Sequence, residues 1–118
     1  GHLVLGHVDA TVSVVAVRPM QAFRSLRVAV PERLEREVAE TGSVAVDGVS
    51  LTVSATGPGW FEVAVIPATL AATTLGSKRV GDPVNLETDV IAKYVRRVLD
   101  GPESTRGGLL AGWGDAED

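Results

Sequence analysis

The sequence predicts an all-β domain, a compact barrel with helical caps, and three observations carry the prediction. In Gly42–Val53, apolar residues alternate at Val44 and Val46 and again at Val49, Leu51 and Val53, with Asp47-Gly48 between the runs. Period two marks half-buried strands, and Asp-Gly supplies the positive φ angles of a tight turn. Short runs of the same kind recur between closely spaced Gly, Pro and Asp signals, the pattern of a small barrel or sandwich. Aromatic residues are few (Phe23, Trp60, Phe61, Tyr94 and Trp113), so the core must come from Val, Leu and Ala.

The elements follow in order. Leu3–Val17 is rich in Val and Leu and reads as one long bent strand or two short ones, with Arg18–Gln21 as a turn. Phe23, Leu26, Val28 and Val30 mark the next strand. Pro31 suits the first position of a helix, and Leu34 and Val38, four apart, predict a short amphipathic helix over Pro31–Glu40 that ends at Gly42. After Gly57-Pro58-Gly59, a strong turn signal, Trp60–Ile66 is a strand closed by Pro67. Ala68–Leu75 predicts one or two helical turns ending at Gly76. Val84, Leu86 and Thr88 share one face of a last strand over Val84–Asp89, entered through Val80-Gly81-Asp82-Pro83. Ile91, Tyr94, Val95, Val98 and Leu99 follow the spacing of an amphipathic helix, with Gly101-Pro102 as its stop. Its apolar stripe is expected either to pack on the barrel or to meet another chain. The boundaries are therefore a barrel over 1–89, a helix over 90–100 and a Gly-rich acidic tail over 101–118, mobile unless Leu109, Leu110 and Trp113 dock.

Composition excludes several classes. At 118 residues the chain supports one domain. Its 45% hydrophobic and 22% charged residues argue for a folded chain and against disorder. No cysteine is present, which removes disulfides, thiolate catalysis and sulfur-bound metals and suits a cytoplasmic location. A net charge of −4 offers no footprint for nucleic acid, and no apolar run is long enough for a membrane span. The first residue is Gly1 and not Met, as expected of a processed product or a piece of a longer chain.

Taken together, Gly1–Asp9, Gly42–Val53, Ile66–Leu70, Thr73–Gly76, Val84–Glu87 and Ile91–Val95 resemble riboflavin synthase. The resemblance is to the second of that family's two lumazine-binding repeats and the helix after it, in order from Gly1 to about Leu99. It implies a closed six-stranded Greek-key barrel that binds 6,7-dimethyl-8-ribityllumazine or riboflavin. In the family, two lumazine molecules exchange a four-carbon unit, giving riboflavin and a ribitylaminopyrimidinedione with no cofactor or metal. It also implies a homo-oligomer, as a dimer of barrels or as a trimer through the C-terminal helix.

On pattern alone, Ser50 and Thr52 place two hydroxyls on one strand face, where they either meet a polyhydroxylated ligand or are simply solvated. The resemblance assigns them to the ribityl chain and ring edge, Val8, Val65 and Ile66 to an apolar slot for the flat ring, and Thr69 to its polar rim. Val8 and Ile66 are equally read as ordinary core residues. The chemistry needs a proton taken from the methyl at carbon 7 of one lumazine and a nucleophile added to the other. The resemblance makes His7, Asp47 and Asp89 polar participants, and an unperturbed imidazole pKa near 6.5 suits His7 to proton transfer. Each has a structural alternative: a hydrogen bond at a strand bend for His7, the turn itself for Asp47, and a helix cap for Asp89. His2 reads as a strand-edge residue.

The chain departs from the family pattern in three places. Ala10-Thr11-Val12 stands where Gly-Thr-Gly is frequent, which puts the geometry of the first loop in doubt. Thr41 stands where lysine is frequent. The first repeat is missing, and in the family the productive pocket forms between a first repeat and a neighbour's second repeat. The expectation is thus a riboflavin synthase-type domain that binds lumazine and by itself turns over weakly or not at all. A non-catalytic lumazine or flavin carrier on the same barrel is the rival reading, and a structural module that oligomerises through Ile91–Leu99 is a third.

Overall fold

The computed structural model describes residues 4–106. Six antiparallel strands close into a barrel in the order β1-β2-β5-β4-β3-β6. They are β1 (Ala10–Pro19), β2 (Arg24–Ala29), β3 (Ser43–Val46), β4 (Val49–Gly57), β5 (Trp60–Val65) and β6 (Pro83–Thr88), followed by helices α1 (Pro67–Ala72) and α2 (Val90–Arg106) in their places in the chain. Inward residues alternate as the pattern predicted: Leu51 and Val53 on β4, Phe61, Val63 and Val65 on β5, Val84, Leu86 and Thr88 on β6. Two 3-10 turns add Leu34 and Leu75 to this core.

The turns follow their chemistry. Asp47 and Gly48 both have positive φ, 51° and 81°, which is the two-residue turn that matches the twist of β3 and β4. Pro58-Gly59, with Gly59 at φ 77°, joins β4 to β5 at the other end of β4. The barrel therefore has a turn end, marked by Asp47-Gly48, and a helix end, marked by Pro58-Gly59, Thr88 and the start of α2.

Several expectations change. Only Ala10–Pro19 of the predicted Leu3–Val17 stretch is a strand, and it extends through Arg18-Pro19, leaving the turn to Met20–Phe23, where the Met20 amide donates to the Phe23 carbonyl at 2.8 Å. The Leu5 and Gly6 amides bond to the Glu87 carboxylate and not to a neighbouring strand, so no ladder forms there. The bend expected beside His7 falls ahead of the strand, and within β1 the pairing with β2 shifts register between Val14 and Ala16, a bulge at Val15. Ala10-Thr11-Val12 is regular strand paired with β6, so the missing glycines restrict no loop.

The helix expected over Pro31–Glu40 is a 3-10 turn, Glu32–Glu37, after an extended Pro31. Three residues per turn put Leu34 and Glu37 on the inner side, whereas Val38 has already returned to extended backbone. The expected turns over Ala68–Leu75 divide into α1 and a 3-10 turn over Thr74–Ser77, broken at Thr73, whose hydroxyl caps the second piece through the Leu75 amide. Gly101-Pro102 does not stop α2, which continues to Arg106: proline removes one amide donor, and the neighbouring turns carry the helix past it. His2 and residues 107–118, with Leu109, Leu110 and Trp113, lie outside the described residues.

Candidate functional site

Alternation on β4 turns Ser50 and Thr52 to the outer side, away from Leu51 and Val53 in the core. Pairing with β3 sets Ser50 opposite Ala45 and Thr52 opposite Ser43. On the other side, the β4–β5 ladder runs from Gly57–Trp60 to Val53–Val63 and stops, although β4 reaches back to Val49 and β5 on to Val65. The same antiparallel register carried onward points Thr52 toward Ala64 and Ser50 toward Ile66. Ala64 is exposed and Ile66 is 57% exposed, so Ile66 is not the core residue of its structural alternative. Hydroxyls and an apolar side chain thus line a stretch where the barrel wall is not laddered.

Val65 has no exposed surface and belongs to the core, which leaves only its backbone to line such a slot. Thr69 lies on α1, half-buried, with its carbonyl accepting from the Thr73 hydroxyl at 2.7 Å. Gly76 holds α1 close: a Cβ on it would lie 2.3 Å from the Leu70 carbonyl oxygen, and its own carbonyl accepts from Arg24 at 2.8 Å. Ile66 and Thr69 are therefore set by the backbone contact between α1 and the turn after it.

His7 and Val8 sit in the segment that crosses β6 before β1. Glu87 Oε2 accepts from the Leu5 amide at 2.8 Å and Oε1 from the Gly6 amide at 3.1 Å, while Asp9 Oδ2 accepts from the Thr88 amide at 2.8 Å. Val8 between them is 52% exposed, again not a core residue. His7 lines a small cavity of about 110 Å3 with Leu5, Asp9, Glu87, Thr88, Val90 and Lys93.

Asp9, Thr88 and Lys93 of that lining belong to a charge cluster that the sequence reading missed. Lys93 Nζ on α2 lies 2.9 Å from Asp9 Oδ2 and 3.1 Å from Glu37 Oε1, and it also bonds the Thr88 hydroxyl. That hydroxyl donates to Glu37 Oε1 at 2.6 Å, and Arg96 pairs with Glu37 Oε2 at 2.8 Å. Burial pulls the Asp9 and Glu37 carboxyls up, but hydrogen bonds from Thr88 and Lys93 together with the lysine charge outweigh it, and both lie below the ordinary range. Lys93 is depressed by burial and raised more by its two carboxylates, so it lies above its ordinary value. The signal for the cluster was Lys93, Arg96 and Asp100, spaced i, i+3, i+7 on the side of α2 opposite the apolar stripe.

Asp47 and Asp89 are both engaged in their structural alternatives. Asp47 Oδ1 accepts from the Asn85 amide at 2.7 Å, and Oδ2 meets the Thr74 hydroxyl and Lys78 Nζ at 3.2 and 3.3 Å. Asp89 Oδ1 caps α2 through the Ile91 amide at 2.9 Å. Since Asp47 is fixed beside Asn85 and Asp89 lies four residues further along the chain, the two are separated by roughly 13 Å. His7 shares the helix end with Asp89, and Asp47 is at the turn end; the three do not form one constellation. Among the described residues, no three His, Asp or Glu side chains are grouped to hold a metal ion.

The lumazine binding domain family model matches residues 5–89. Riboflavin synthase of Mycobacterium tuberculosis is 52% identical over 102 residues, which cover 84% of this chain and 51% of that protein. The Photobacterium phosphoreum riboflavin synthase is 43% identical over 105 residues, 87% of this chain and 48% of that protein. The chain thus spans about half the length of the curated relatives it matches. Among solved structures, LumP complexed with 6,7-dimethyl-8-(1'-D-ribityl) lumazine aligns at TM-score 0.67 and 22% identity, over 74% of this chain and 48% of that one, a likeness of fold. With its barrel matched across 5–89, the chain belongs to the lumazine binding domain family.

Proposed function

We propose that this barrel binds 6,7-dimethyl-8-ribityllumazine or riboflavin as the second-repeat half of a riboflavin synthase. The family match over the whole barrel carries the reading. Ser50 and Thr52 would bond the ribityl hydroxyls, each neutral hydrogen bond netting about 1 kcal/mol, so that several are needed. Ile66, Val8 and the Val65 backbone would line the ring slot, with Thr69 at its rim. The strand order suits the Greek key of that family.

Turnover in this reading needs a second barrel. Asp47 and Asp89 are committed to backbone amides at opposite ends, which leaves them positional parts, and His7 remains as the proton carrier. Two barrels face to face would hold two ring systems in contact, the main requirement of the exchange. Ile91, Tyr94, Val95, Val98 and Leu99 are 51–78% exposed, an apolar stripe that supports assembly with further copies as a dimer or trimer. The lack of cysteine suits a cytoplasmic site of action.

Fluorescence titration with the lumazine, followed in the same cuvette for riboflavin, tests the proposal. Saturable binding with product means the barrel pairs with itself and keeps the chemistry. Binding without product makes it a half-site or a carrier, and no binding overturns the ligand assignment.

A further inference from the structure

We infer that Glu87 and Lys93 are positioning residues that hold the Leu5–Asp9 segment, and with it Val8 and His7, against the barrel for the ligand. The inference rests on the lumazine-binding reading above and adds residues that touch no ligand.

Ahead of Asp9, whose amide donates to the Leu86 carbonyl at 2.8 Å, the segment has no ladder of its own. Two side chains replace one: the Glu87 carboxylate spans the adjacent Leu5 and Gly6 amides, one oxygen to each, and Asp9 is anchored to the Thr88 amide. A carboxylate that accepts from successive amides fixes the direction of the backbone as well as its distance. Asp9 is in turn held by Lys93, which Glu37 and the Thr88 hydroxyl keep in place. Val8 and His7 lie between the two anchors, and Val8 stays exposed. Loss of Glu87 frees the Leu5–Gly6 end, and loss of Lys93 loosens the Asp9 end, whose main chain keeps its bonds to the Leu86 carbonyl and Arg33; affinity falls by the ordering that the ligand must then supply.

The lysine reaches Asp9 from α2, whose opposite side carries the exposed apolar stripe. The segment facing the ligand is therefore tied to the seating of that helix, and a shift of α2 on the barrel would be felt at Val8.

The test uses the 118-residue chain and its Glu87→Gln, Lys93→Met and Lys93→Arg variants. Amide hydrogen exchange is read at Leu5, Gly6 and Thr88, and lumazine affinity by fluorescence. Glu87→Gln keeps the shape but loses one acceptor oxygen, so Leu5 or Gly6 exchanges about tenfold faster while the Phe61 and Val63 amides do not change. Lys93→Met speeds exchange at Thr88 and weakens lumazine binding about tenfold, and Lys93→Arg, which keeps charge and donors, restores most of the affinity. Unchanged exchange in Glu87→Gln and Lys93→Met overturns the inference. So does faster exchange with wild-type affinity, or a Lys93→Arg variant as weak as Lys93→Met. If Lys93→Met does not fold, Glu87→Gln alone decides by the same two readouts. A wild-type chain that takes up no lumazine overturns the binding role through the reading it rests on; a wild type that binds, with variants that bind equally, overturns the positioning alone.

Discussion

The two ends of the barrel anchor their carboxylates in different ways. At the turn end, Asp47 sits at positive φ, 51°, and accepts from a main-chain amide, with Lys78 as an ionic partner. At the helix end, Asp9 and Glu37 share one lysine, and Arg96 adds a second charge to Glu37. The first end is held by backbone geometry that a neutral side chain could reproduce. The second is held by charge balance in a partly buried cluster, where removing one member leaves others uncompensated. Variants at the two ends should therefore rank by different rules: steric fit at one, charge at the other.

The largest expected effect is steric. Gly76→Ala places a methyl 2.3 Å from the Leu70 backbone oxygen, where no flexible side chain can yield. A loss of about 3 kcal/mol is expected in urea unfolding, with weaker lumazine binding because Ile66 and Thr69 move with α1. A loss below about 1 kcal/mol would mean that α1 is not held by backbone fit.

Charge removal at the helix end comes next. Breaking a fully buried ion pair costs about 3–5 kcal/mol, but Lys93 is 36% exposed, and solvent screening brings Lys93→Met to about 2 kcal/mol. The pH dependence follows from the same groups. Asp9 and Glu37 lie below their ordinary values of 3.8 and 4.5, so their contribution is complete above those values and lost as pH falls through the lower folded ones. Lys93 lies above its ordinary 10.5, so its contribution is complete below that value and lost as pH rises through the higher folded one. These three groups therefore give a plateau from about pH 5 to about pH 10. In Lys93→Met the carboxylates keep their burial and lose the charge that offsets it, so melting temperature should start to fall at a higher pH than in the wild type. Equal acid limbs in the two proteins would remove Lys93 from the account.

The same contrast explains what could be read in advance. Alternation at Leu51 and Val53 and at Phe61 and Val63 fixed the inner side of β4 and β5, and so put Ser50 and Thr52 outside. The same alternation continues to Val65, whose side chain has no exposed surface. The Asp47-Gly48 turn was legible because positive φ has few residue choices. What was not legible depends on partners distant in sequence. Leu5 and Gly6 were read as strand because nothing local shows that their amides go to Glu87, over 80 residues away. Periodicity in α2 separates an apolar from a polar side but does not say which side meets the barrel. Here the polar side does, through Lys93 and Arg96, so the charge cluster stayed hidden in a helix read for its apolar stripe.

The smallest effect is the sharpest test of the turn end. Asp47→Asn keeps a residue that tolerates positive φ and an oxygen that can accept from the Asn85 amide, and it replaces the oxygen that faces the Thr74 hydroxyl and Lys78 with an uncharged amide group. That pair is mostly buried, but Lys78 keeps its bond to the Pro83 carbonyl at 3.0 Å, and the loss is expected at about 1 kcal/mol. The melting temperature should therefore shift only slightly and lumazine affinity not at all, unless the carboxylate takes part in proton transfer. In that case the chain paired with a second barrel would bind as before and form riboflavin more slowly. Unchanged turnover would leave Asp47 as a part of the turn, held by its positive φ and by the Asn85 amide.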